Sequence, residues 1–167
     1  MPTNFLHYNG TNGFLVTPFE LFNQTDAAFD SLANGNTVTS ANGGTSGKFN
    51  QASFGSAQLA ELWFIVGDTG FTPSAGGNLT GWWLKSFDGG STFEDTDSNL
   101  ALPRPPDFII PFKNAAYSAS DVVFASQPVL LPYLTCKVYV QNNSGVTLGN
   151  TSTTHAKLWC GPVADQY

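Results

Sequence analysis

The chain has 167 residues, 12 acidic against 6 basic side chains and a net charge of −6. That length suits one domain able to bury about 70% of its unfolded surface, and the charge balance argues against a nucleic-acid partner, because phosphate binding needs clustered cations. Charged residues are only 11% of the chain while Phe numbers 14 and Trp 4, a composition too aromatic for a disordered chain, in which polarity comes from Asn, Ser, Thr and Gly.

Residues 1–19 are expected to form an N-terminal arm and residues 20–167 a single β-sandwich domain. Phe5, Leu6, Tyr8, Phe14, Leu15 and Val16 alternate with Asn9-Gly10 and Asn12-Gly13. Such a segment is too apolar for a free tail and too punctuated for one strand, so it is expected against its own domain or a neighbouring subunit. The first residues lack the basic and apolar regions of a signal peptide, and no apolar run approaches a membrane span. Synthesis in a cytoplasm and no membrane partner are the expectations. Thr17-Pro18-Phe19-Glu20 matches a helix start, with Thr as cap and Pro at the first helical position, predicting a short helix over residues 18–23.

Residues 33–47 read as a long polar loop with a brief strand at 37–40. Residues 58–66 form the clearest strand: Ala60, Leu62, Phe64 and Val66 alternate with Leu59, Glu61, Trp63 and Ile65. Apolar residues on both faces predict a central strand covered on each side. In residues 81–112 a strand, a turn and a proline-stiffened strand follow one another. Trp82, Leu84 and Ser86 face one way and Trp83, Lys85 and Phe87 the other, and Asp88-Gly89 supplies a hairpin turn. Pro103, Pro105, Pro106 and Pro111 cannot donate to a ladder, so residues 107–112 belong at a sheet edge. Further strands are predicted at 121–125, 129–131, 134–141 and 153–160. The last two turn Leu134, Cys136, Val138, Val140, Ala156, Leu158 and Cys160 inward. Seven to nine strands with regular turns and one short helix near the N-terminus predict an all-β, jelly-roll-like antiparallel sandwich.

Chemical motifs are scarce. Asp95-Thr96-Asp97-Ser98-Asn99 opens like a calcium loop, but Leu100 and Pro106 stand where Gly and Glu are needed. Glu94 or Asp95 paired with Glu61 or Asp107 would be required for glycoside hydrolysis, and twelve acids always offer pairs. His7 and His155 lie in no nucleophile motif, and His155 reads as a surface or cross-strand residue. There is no phosphate loop, dinucleotide fingerprint or metal-ligand cluster, so neither a catalytic residue nor a cofactor is expected. Cys136 and Cys160 read as reduced, buried thiols, with a bridge between neighbouring strands left open. The tryptophans suit a core, a subunit contact or a sugar-stacking platform.

Three stretches carry a family resemblance: Trp-Leu-Lys-Ser-Phe-Asp-Gly-Gly-Ser-Thr-Phe-Glu-Asp (83–95), Leu-Pro-Arg-Pro-Pro-Asp-Phe-Ile-Ile-Pro (102–111) and Val-Tyr-Val-Gln-Asn-Asn-Ser-Gly (138–145). Together, over residues 59–160, the chain resembles the head decoration or cement proteins of tailed bacteriophages, small jelly-roll virion proteins. The resemblance implies a non-enzymatic protein on the outer capsid surface, a homo-oligomer (a trimer near threefold positions) that clamps major capsid subunits. The contact residues expected on that reading are Phe5, Tyr8, Phe14, Arg104 and Pro105. The alternative is a receptor- or carbohydrate-binding module of a tail fibre or spike.

Overall fold

The computed structural model describes residues 19–22, 27–40, 48–49, 58–94, 100–149 and 155–163. Among them run β1 (Phe19–Phe22), α1 (Ala27–Asp30), β2 (Thr37–Thr39), β3 (Leu59–Ile65) and β4 (Asn78–Lys85). They are followed by β5 (Phe108–Pro111), β6 (Val122–Phe124), β7 (Val129–Leu130), β8 (Cys136–Asn142) and β9 (Lys157–Val163). The expected arm, with Phe5, Tyr8 and Phe14, lies outside the described residues except for Phe19, which opens β1.

The pairing is nested. β4 pairs with β5, β3 with β6, β2 with β8 and β1 with β9, all antiparallel. Because β9 also pairs with β3 and β8 with β4, the strands form two sheets in the orders β1-β9-β3-β6 and β2-β8-β4-β5. This is one long hairpin folded back on itself and rolled, so that alternate pairs fall in opposite layers, the jelly-roll arrangement. The two-residue β7 adds to β3 at Leu59 and Ala60.

Period-2 alternation builds the layers. Ala60, Leu62 and Phe64 of β3 are buried while Leu59, Glu61, Trp63 and Ile65 are half-buried on the outer side. The inward rows of β4, β8 and β9 bring Leu79, Trp83, Val138, Val140, Leu158 and Cys160 into one core. Phenylalanines join the rows: Phe64 meets Phe112 edge-on at 5.5 Å and Phe29 at 6.1 Å, geometries favoured by the ring quadrupole. Both thiols are free and buried.

Two expectations are corrected. Residues 19–22 are a strand instead of a helix. A register shift between Glu20 and Phe22 lets Leu21 and Phe22 both turn inward, and their burial beside β9 outweighs the local helix-start signal. The short helix lies further on, at Ala27–Asp30. Asp88-Gly89 does turn the chain, but the described residues that follow, 91–94, form no strand, and β4 instead pairs with β5. β5 does sit at a sheet edge.

Candidate functional site

The outer face of the β2-β8-β4-β5 sheet carries Trp82 and Leu84 of β4 with Tyr139 of β8, all buried, because the segment after β4 crosses over them and adds Phe93 and Leu102 to the cluster. Pro103, Pro105 and Pro106 have fixed φ and no amide proton, so this cover cannot become another strand. Side-chain bonds hold it instead. Arg104 donates through Nη1 to Asp107 Oδ2 at 2.8 Å, and through Nη2 to the Trp83 carbonyl at 2.9 Å and Glu94 Oε2 at 3.2 Å. The same carboxylates serve the strand: Trp83 N–H donates to Asp107 Oδ2 and Lys85 N–H to Glu94 Oε2. Trp82 Nε1–H closes the set by donating to the Arg104 carbonyl at 3.1 Å. Burial pulls the Arg104 pKa down, but the hydrogen bond and charge of Asp107, helped by Glu94, outweigh it and hold it above its ordinary value. The result is a rigid ridge on which Leu100, Pro103 and Pro105 face solvent.

Of the expected contact residues, Pro105 is thus exposed, and Arg104 is a half-buried latch whose fork is turned onto its own domain. Phe5, Tyr8 and Phe14 lie outside the described residues. Trp82 and Trp83 are each only 2% exposed, so neither ring offers a face for sugar stacking. Trp83 sits in the core, its Nε1–H bonded to the Leu130 carbonyl at 3.1 Å.

Sequence reasoning missed the exposed aromatics. Phe87 is 84% exposed and Tyr133 is 83% exposed. Phe87 rides a turn built by Asp88, whose carboxylate accepts from Thr92 N–H (2.8 Å), Thr92 Oγ1–H (2.7 Å), Ser86 Oγ–H (2.7 Å) and Ser91 N–H (3.0 Å). Donation from the Thr92 backbone, then its hydroxyl, holds the Asp88 carboxyl well below the usual carboxylate range. Gly89 and Gly90 take φ of 71° and 95° there, which glycine adopts without strain. Tyr133 lines an open groove of about 360 Å³ with Trp83, Lys85, Asp107 and Leu130. Leu130, 71% exposed, adds an apolar wall. An aromatic placed between Pro132 and Leu134, outside any alternating pattern, was the available signal.

The acidic residues weighed for hydrolysis are not brought together as a pair across a cleft. Glu94 and Asp107 share Arg104, whereas Glu61 lies on the outer side of the opposite sheet. Asp95 and the rest of the calcium-like run lie outside the described residues, and among the described residues no group of three His, Cys, Asp or Glu could hold a metal ion. His155 Nδ1 lies 2.8 Å from Asp30 Oδ2, and Asp30 Oδ1 accepts from Ala156 N–H at 2.8 Å. The pair fastens α1 to β9. No helix among the described residues is long and apolar enough to cross a membrane. Comparisons with family models, curated proteins and solved structures return no match for this chain.

Proposed function

We propose that the chain is a structural protein of a bacteriophage virion, a decoration or cement protein that binds the outer surface of the head. On this reading it acts as a homo-oligomer, a trimer, works without catalysis, and strengthens contacts between major capsid subunits. The observation that carries the reading is the latched proline ridge. Leu100 and the exposed Pro103 and Pro105 stand on a loop whose base is fixed by Arg104, Glu94 and Asp107. A contact surface that is already rigid loses little entropy on docking, and many weak copies on one particle gain strength by multivalency. Heads lacking the protein should bind it when it is added back and should then open at a higher temperature. Leu100→Asp with Pro105→Asp should weaken that binding at least tenfold. Heads that neither bind the wild-type chain nor gain heat resistance would end the proposal.

A second reading, a receptor- or carbohydrate-binding module of a tail fibre or spike, draws support from the groove beside Tyr133. An exposed phenol ring flanked by Lys85 and Asp107 offers the stacking face and polar groups that a sugar ring needs. A glycan-array signal lost in Tyr133→Ala would favour it, and an array with no signal would remove it.

A further inference from the structure

The two sheets treat their outer faces differently. On the β2-β8-β4-β5 sheet the apolar outer residues are covered by Phe93 and Leu102. The outer face of the β1-β9-β3-β6 sheet is also largely apolar: Trp63 lies in register with Trp159 of β9 and Phe124 of β6, Ile65 with Val122 of β6 and Lys157 of β9, and Leu59 with Val163 of β9. Trp63 stacks parallel to Trp159 at 6.5 Å and meets Phe124 at 6.2 Å. A solvated antiparallel face ordinarily alternates to polar residues. The polar atoms present here point the same way. Glu61 Oε2, Glu20 Oε1 and Trp159 Nε1 are buried without a hydrogen-bond partner, with Lys157 Nζ no nearer to Glu20 Oε1 than 3.8 Å. Such groups cost about 1–3 kcal/mol each when left unmade. They comprise two acceptors and one donor, a set that an extended backbone, with its own N–H and C=O groups, can answer.

We propose that the outer face of the β1-β9-β3-β6 sheet is the docking site for residues 1–18 of the same chain. The segment joins the fold at Phe19, the first residue of β1, on the edge of this sheet next to β9. Extended, 18 residues reach about 60 Å, and four strands span only about 15–20 Å, so crossing β9 and β3 to β6 is well within range. Its apolar residues, Phe5, Leu6, Tyr8, Phe14, Leu15 and Val16, match the aromatic floor, and its peptide groups can reach Glu61 and Trp159. A segment tethered directly at the site acts at an effective concentration of the order of millimolar, which favours the chain's own segment over a second copy's at ordinary protein concentrations.

The test uses the full chain carrying Thr11→Cys and a nitroxide there, since Cys136 and Cys160 are buried. In ¹⁵N spectra, the indole N–H signals of Trp63 and Trp159 should lose most of their intensity, while Trp82, on the other sheet's outer side, stays sharp. Adding Phe14→Asp and Leu15→Asp to the same labelled chain should return at least half of the lost intensity, with the Trp82 signal unmoved as proof of folding. Isotope-labelled chain without nitroxide, mixed with unlabelled nitroxide-bearing chain, should show no broadening. Sharp Trp63 and Trp159 signals in the nitroxide-labelled chain would overturn the proposal. So would broadening that survives the two aspartates, or equal broadening in the mixed sample, which would mean that a second copy's segment docks.

Discussion

The ring of Phe108 lies directly over Gly81, and a Cβ at residue 81 would fall inside it. The two residues are cross-strand partners in the β4–β5 pair, and the glycine leaves the space that lets Phe108 pack, buried, against Trp83 at 5.1 Å. Gly81→Ala is therefore expected to destabilise the fold by about 1–3 kcal/mol, the usual cost of overpacking. Gly161 is the internal comparison, because a Cβ there would meet only the far edge of the Trp63 ring at 2.8 Å, and that ring is half-buried on the outer face, where a small shift costs less than in the core around Phe108. Urea titrations of both variants should show the larger loss for Gly81→Ala.

Replacing Arg104 tests the latch. Its guanidinium bonds two carboxylates and a carbonyl in different directions, a pattern the single ammonium of lysine cannot reproduce. Arg104→Lys should lose about 1–2 kcal/mol and Arg104→Ala about 1–3 kcal/mol, after allowance for partial exposure. Both should speed proteolysis within residues 94–107 and shift the Trp82 fluorescence, whose indole bonds the Arg104 carbonyl. Equal stability of Arg104→Lys and wild type would contradict the fork.

Asn142, fully buried, is a hub of three hydrogen bonds. Its amide donates to the carbonyls of Leu32 at 2.8 Å and Val146 at 2.7 Å, and its oxygen accepts from Ser144 N–H at 2.9 Å. Asn142→Ala should cost about 2–4 kcal/mol, because buried partners are left unsatisfied. Differential denaturation against wild type checks the figure.

Burial pushes the Cys136 and Cys160 thiols well above their ordinary pKa, and at Cys136 the neighbouring Cys160 adds to it. Both should stay protonated and fail to react with a disulfide reagent at pH 8 in the folded protein. The release of two thiols should track unfolding measured by fluorescence. Fast labelling without denaturant would contradict the described packing.

Burial raises the Glu20 pKa, and Lys157 only partly offsets it. A carboxyl that is easier to protonate in the folded chain binds more protons there than in the unfolded one, so its contribution to stability falls as pH rises from about 4.3. Glu20→Gln removes that slope. The variant should gain on wild type between pH 4 and pH 7, and the difference should shrink toward pH 4. Parallel stability curves over that range would refute the assignment.

The parts of the fold written locally were legible in the sequence. Alternation of Ala60, Leu62, Phe64 and Val66 marks β3 as central because burial on a pleated face leaves a period of two, and the prolines at 103–111 mark an edge. What depended on distant partners was not legible. The strand at 19–22 exists because β9, more than 130 positions away, buries Leu21 and Phe22; its local signal reads helix. The partner of β4 is set by a cover whose latch joins Glu94, Arg104 and Trp83, contacts no spacing rule reveals. Arg104 was recognisable as important by its prolines, yet a lone arginine does not announce whether its fork faces inward or outward. Alternation places Phe87 on the side of Trp83, but β4 ends at Lys85 and the turn carries Phe87 into solvent; Tyr133 sits in a turn, where no periodicity assigns a side.

The pairing of Phe19 with Cys160 and of Phe22 with Leu158 means that the chain comes into β1 and leaves β9 at the same corner of the sheet. Tension applied through both flanking segments would run along the hydrogen bonds of that ladder and peel them one at a time, as a zip opens. Load carried through the flat sides of the roll would meet many bonds at once. A protein with this geometry withstands force best when gripped by its faces and gives way first when drawn out by its tails.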